Sequence, residues 1–195
     1  TSLTTLTNID AKEGEKPYLF NFSENKTKLA FAFFEKDTAG AKAVQIEVFD
    51  ERMRMLWERK YALKISNPEY QIHDISVNNE GTETLLAIRS YTTGKKVQHT
   101  DSKAHLIWLT QYEQRQYEQQ IEKAWPTDIK CAFNLEGDYL MAGYYGKNAD
   151  KPKLAQGSFA YKYDQRRGYL KNSSTRDFKE YETDEMVKEG LPKPS

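Results

Sequence analysis

Apolar residues alternate with polar ones in short runs, and the runs recur with a long period. Tyr18, Phe20 and Phe22 alternate with Leu19, Asn21 and Ser23; His73, Ile75 and Val77 alternate with Asp74 and Ser76; Ile129, Cys131 and Phe133 alternate with Lys130, Ala132 and Asn134. Period two with one apolar face predicts half-buried strands. A turn follows each run, at Ser23-Glu24-Asn25-Lys26, at Asn78-Asn79-Glu80-Gly81 and at Leu135-Glu136-Gly137. Asn, Ser and Gly suit such turns because they tolerate positive φ or bond their own backbone.

Beyond each turn lies a second strand: Lys28 to Phe34, Glu83 to Arg89 and Asp138 to Tyr144. Ala32, Ala87 and Ala142 fall within these segments at a constant spacing of 55 residues. A longer loop leads to a third strand, Val44 to Asp50, Ala104 to Thr110 and Ser158 to Asp164, and a fourth strand carries Trp57, Tyr117 or Tyr169.

Each unit therefore reads as a four-stranded antiparallel meander, over about 17–62, 70–122 and 128–173. Such a sheet cannot bury both faces alone, whereas stacked copies can. The expected class is all-β and β-propeller-like, with three consecutive blades in one partial domain. A β-sandwich is the plainer alternative. Closed propellers have four to eight blades, so three units predict part of a larger ring, with the missing blades beyond Ser195. The small Ala at the repeated position is expected to let neighbouring blades approach closely. Residues 177–195 read as a charged helical and linker segment, with Thr183 as its cap and Gly190 as its stop.

Composition narrows the function classes. The chain has 195 residues, with 29 basic and 29 acidic side chains. A zero formal charge argues against a globally basic nucleic-acid binder. Mean hydropathy is −0.85, and no run approaches the roughly 18 apolar residues of a membrane span. The single Cys131 rules out an internal disulfide framework.

Several runs carry a resemblance: Val48-Phe49-Asp50, Met55-Leu56-Trp57-Glu58, Val77-Asn78-Asn79-Glu80-Gly81, Tyr139 to Gly146, and Gly157-Ser158-Phe159-Ala160-Tyr161. Together they resemble an uncharacterised group of exported propeller-like proteins of Bacteroidetes-type bacteria. The resemblance implies export to the periplasm or cell surface. It spans residues 17 to 182, rests on fold-determining positions, and supplies no catalytic motif.

Chemistry is sparse. His73, His99 and His105 do not have a zinc-binding spacing. Cys131 alternates onto an apolar face and reads as an inert buried thiol. The acidic pairs Asp50-Glu51 and Asp184-Glu185 have no cleft assigned to them. There is no phosphate-binding loop, no nucleophile elbow and no cofactor motif. Asp74 is the sole acid inside the first strands as drawn.

The loops between second and third strands hold Lys36 and Lys42, then Lys95, Lys96 and Lys103, then Lys147, Lys151 and Lys153. In a propeller these loops emerge on one face, where a lysine rim attracts an anionic partner. The leading expectation is thus a non-enzymatic binding or scaffold module of the cell envelope. Its partner would be another protein or an anionic envelope component, and membership of a larger complex is compatible. Nucleic acid is disfavoured. The alternative is a hydrolase with an active site on the propeller axis, completed by blades beyond residue 195.

Overall fold

A computed structural model describes residues 18–36, 42–67, 69–92, 102–121, 125–146 and 155–178. They form twelve strands and, among the described residues, no helix. The first sheet holds β1 (Tyr18–Phe22), β2 (Lys28–Lys36), β3 (Lys42–Asp50) and β4 (Met55–Ala62). The second holds β5 (Glu69–Val77), β6 (Glu83–Tyr91), β7 (Ser102–Thr110) and β8 (Gln114–Gln119). The third holds β9 (Trp125–Phe133), β10 (Tyr139–Gly146), β11 (Gly157–Tyr163) and β12 (Leu170–Asp177). Each sheet runs in sequence order and is antiparallel throughout, so the three are propeller-like blades. The predicted C-terminal helix lies outside the described residues.

The turns between first and second strands form as their side chains dictate. Asn78 Oδ1 accepts the amides of Thr82 and Glu83 at 2.9 and 3.2 Å, and Asn134 Oδ1 accepts those of Glu136 and Asp138 at 3.0 and 2.8 Å. Gly81 and Gly137 take φ of +75° and +85°, a region that side chains disfavour.

The pleat divides every blade into two faces, and the cores lie between blades: burial alternates along β3 and β11, whereas β6 and β7 of the sandwiched second blade are buried on both faces. Ala30, Ala32, Val44, Ile46, Val48, Trp57 and Tyr61 of blade one meet Ile75, Val77, Leu86, Ile88, Ile107 and Leu109 of blade two. The opposite face of blade two, with Leu85, Ala87, Leu106 and Trp108, meets Ile129, Cys131, Tyr139, Met141, Phe159, Tyr161 and Tyr163 of blade three. Each blade is the wall its neighbour lacks.

Three sequence expectations need adjusting. Ala32 and Ala87 are fully buried and face the following blade as anticipated, but Ala142 is exposed, because no blade follows the third among the described residues. Tyr169 precedes β12 rather than lying within it. Strand β9 begins at Trp125, not Ile129, which brings Asp128 into a first strand.

Candidate active site on the inner strands

The first strands of the blades lie side by side, with β5 against both β1 and β9. Their free edges are joined through side chains. Asn21 Nδ2 donates to the Ile75 carbonyl at 2.9 Å, and the Cys131 amide donates to Asp74 Oδ2 at 3.1 Å. In a propeller these strands line the axis.

Two irregularities fall on this inner row. The β5–β6 register passes from Ile72 to Asp74, leaving His73 as the extra residue of a bulge. The β9–β10 register passes from Asp128 to Pro126, leaving Thr127 unpaired. Bulges re-aim side chains and are enriched beside functional sites.

The bulges bring His73 and Asp128 together across the blade boundary. Nδ1 of His73 lies 3.7 Å from Asp128 Oδ1, with side-chain exposures of 7 % and 52 %. That separation exceeds a direct hydrogen bond, so the pair is coupled through charge across a part-buried gap. Nε2 of His73 is buried without a hydrogen-bond partner. Burial pulls the His73 pKa below the usual histidine value, against the opposing pull of Asp128. The interaction with His73 is the main reason that the Asp128 carboxyl lies below its ordinary value. Both directions favour a neutral imidazole beside an ionised carboxylate at neutral pH.

Arg89 of β6 backs this pair. Its Nη1 donates to the Pro126 carbonyl at 2.7 Å, a group beside the β9 bulge, and its Nη2 donates to Gln71 Oε1. The rings of Tyr91 and Trp125 each lie 5.4 Å from the guanidinium. Arg89 is 8 % exposed, its Nε is unpartnered, and no carboxylate among the described residues pairs with it. Burial lowers its pKa, and its charge contributes to holding His73 neutral. On the other side of the pair, burial raises the Asp74 pKa, opposed by the Cys131 amide and by Lys130, whose Nζ is 3.5 Å away.

The remaining sequence candidates fall elsewhere. His105 of β7 is buried and structural: Nε2 meets Ser90 Oγ at 2.7 Å, and Nδ1 lies 3.3 Å from Gln116 Nε2. Burial depresses its pKa to about 4. Cys131 is buried with its thiol pKa pushed well up by burial, as expected of an inert thiol. Asp50 belongs to the β3–β4 turn, where it accepts the Arg52 and Arg54 amides at 2.9 Å each. His99, Asp184 and Glu185 lie outside the described residues.

Three of the eight lysines expected on the rim lie among the described residues. Lys95, Lys96, Lys147, Lys151 and Lys153 lie outside the described residues, and Lys36 ends β2. Lys42 is turned inward, donating to the carbonyls of Ile65 and Asn67 with Nζ 5.2 Å from the Tyr70 ring centroid. Lys103 pairs with Glu118 at 2.6 Å. A separate polar cleft of about 700 Å³ opens between β8 and β12, lined by Gln119, Gln156, Ser173 and Asp177 among others. It shares no residue with the inner-strand group.

No protein-family model matches the chain, and no curated protein matches it. Solved structures do. The fold is similar to that of apocarotenoid oxygenase from Synechocystis. A variant of that enzyme superposes with a TM-score of 0.52 at 10 % identity, over 81 % of this chain and 38 % of the oxygenase. The cobalt-substituted enzyme gives 0.51 at 9 % identity, again over 81 % and 38 %. A chimera of the oxygenase with RPE65 gives 0.50 at 11 % identity, over 80 % and 36 %. The chain thus spans less than two-fifths of the length of these proteins. Identities this low establish the shared fold alone.

This likeness corrects the leading expectation from sequence. A non-enzymatic scaffold was favoured because the first strands offered only Asp74, too little for an axial site. The fold proves to be one that enzymes use, and the inner strands hold His73, Asp74 and Asp128 together. The two bulges hid this arrangement, since a regular alternation does not bring residues 73 and 128 face to face. The signal available in sequence was Asp128, one residue before the strand as drawn.

Proposed function

We propose that the chain is part of an enzyme whose active site lies on the propeller axis and is completed by further blades. His73 is its proton-transferring group, and Asp128 orients the imidazole. The observation that carries this reading is the buried, unpartnered Nε2 of His73 at a bulge on an inner strand. A buried polar atom without a partner calls for an explanation, and a substrate or attacking water supplies one. With Nδ1 turned to the carboxylate, Nε2 is free to accept a proton. Asp128 then stabilises the imidazolium that forms, the division of labour of a carboxylate–histidine pair. This chemistry suits hydrolysis, in which a base activates water.

The cobalt-substituted neighbour raises the question of a metal. Among the described residues no group of three or more His, Cys, Asp or Glu side chains is placed to hold one. The described residues do not fit a metal centre by themselves, and the mechanism is not routed through one.

The test is a panel of chromogenic esters, phosphoesters and glycosides, assayed with the wild-type protein and with His73→Gln and Asp128→Asn. Turnover that falls at least about 100-fold in His73→Gln, with an unchanged melting temperature, supports the reading. The assay uses the protein with its further blades in place: equal turnover there in His73→Gln and wild type rejects the reading, as does inactivity of that wild-type protein across the panel.

A further inference from the structure

Arg89 is a buried cation that no carboxylate among the described residues neutralises. Its side chain is 8 % exposed, and its Nε has no hydrogen-bond partner. Arginine keeps its charge inside proteins. A buried charge without a counter-ion is costly, and a buried donor without an acceptor needs an explanation.

The unsatisfied part is one edge of the guanidinium. The ring centroids of Tyr91 and Trp125 each lie 5.4 Å from its central carbon, so two cation–π contacts hold the group in place. Nη1 is taken by the Pro126 carbonyl at 2.7 Å. The remaining edge, Nε with Nη2, is a pair of parallel donors that matches the two oxygens of a carboxylate. On that edge Nη2 donates to Oε1 of Gln71, and Nε donates to nothing. Gln71 is the cross-strand partner of Arg89, has an exposed side chain, and stands two residues before His73 on the inner strand β5. A carboxamide has the planar outline of a carboxylate but one acceptor oxygen, so Gln71 fills half of the edge and leaves Nε unmatched.

The acids of this row are engaged elsewhere. Asp128 faces Nδ1 of His73 at 3.7 Å, and Asp74 accepts the Cys131 amide and lies 3.5 Å from Lys130 Nζ.

We propose that the Nε–Nη2 edge of Arg89 is a carboxylate-binding subsite of the inner-strand site, with the exposed Gln71 carboxamide as a placeholder that the ligand displaces. The substrate class that follows is a carboxylic acid with its hydrolysable bond elsewhere in the molecule, held by Arg89 while His73 acts on it. That substrate class rests on the role proposed for His73. The subsite itself stands on Arg89 and Gln71.

The test uses the protein with its further blades in place, and takes acetate and formate as probes against chloride at equal ionic strength. Acetate should raise the melting temperature saturably. It should also move the His73 imidazole pKa upward, because it neutralises the Arg89 charge that opposes protonation there. Asp128 and Lys130 also act on that imidazole and are the same in every sample. Gln71→Glu is nearly isosteric and supplies its own carboxylate to the edge, so acetate should bind it at least about tenfold more weakly. Gln71→Ala removes the placeholder and keeps Arg89, and should bind acetate at least as tightly as the wild type. Acetate that acts no differently from chloride overturns the proposal. So does undiminished acetate binding by Gln71→Glu, and so does a response to inorganic phosphate with none to either carboxylate. Acetate binding by a protein inactive on every chromogenic substrate would count against His73 and leave the subsite intact. Turnover that depends on His73 in a protein that does not bind acetate would do the reverse.

Discussion

The indole Nε1 of Trp57 donates to the carbonyl oxygen of Gly81 at 2.7 Å, across the boundary between the first two blades. Trp57 is 6 % exposed, so one side chain contributes both apolar area and a buried hydrogen bond to the junction. Trp57→Ala should destabilise by about 3–5 kcal/mol. Trp57→Phe keeps most of the area and should cost less, with about 1–3 kcal/mol from the stranded carbonyl. Urea unfolding of the three proteins checks the ordering.

The acceptor of that bond is constrained as well. Gly81 has φ of +75°, and an added Cβ would sit 2.7 Å from Leu56 Cδ1 and 2.9 Å from Lys28 Cδ. The two contacts are with side-chain atoms that have room to move, so the backbone conformation dominates. Gly81→Ala should cost about 1–2 kcal/mol, measured by the same unfolding experiment.

His105 should make stability depend on pH. Its folded pKa is about 4, against about 6.5 for an unperturbed histidine. The unfolded chain therefore takes up the proton first as pH falls. The contribution is fully present above about pH 6.5 and is lost on descending to pH 4, amounting to about 3 kcal/mol. His73 is lowered too and acts in the same direction. His105→Gln should flatten the decline in urea midpoint between pH 6.5 and 5, whereas an identical slope in variant and wild type would remove this assignment.

The electrostatics of the inner strands can be read directly from the imidazole of His73. Arg89 disfavours its protonation and Asp128 favours it. Arg89→Met should move the His73 pKa up toward the ordinary value, and Asp128→Asn should move it further down. Imidazole proton resonances followed through a pH titration give both shifts.

Much of the architecture was legible in the order of residues. Alternation in Tyr18 to Phe22 and His73 to Val77, with Asn and Gly turns after each, defines strands and hairpins by local chemistry alone. The repeated Ala32 and Ala87 announced which face meets the next blade. The candidate site was less legible, because it depends on a bulge in β5 and another in β9. An extra residue in a strand is a relation between two strands, and it leaves no mark on the alternation of either. The loop positions of the lysines say nothing of their partners: among those described, Lys42 donates to the carbonyls of Ile65 and Asn67, and Lys103 pairs with Glu118.

The side-chain bridges from Asn21 to Ile75 and from Asp74 to Cys131 have a consequence for solubility. A bare strand edge is a template on which foreign chains add strands. Here a carbonyl of β5 and an amide of β9 are already engaged by residues of the adjacent blade. An incoming peptide would have to displace those contacts before it could extend either sheet, so the row nearest the axis is guarded against amyloid-like growth by the same residues that hold the blades in step.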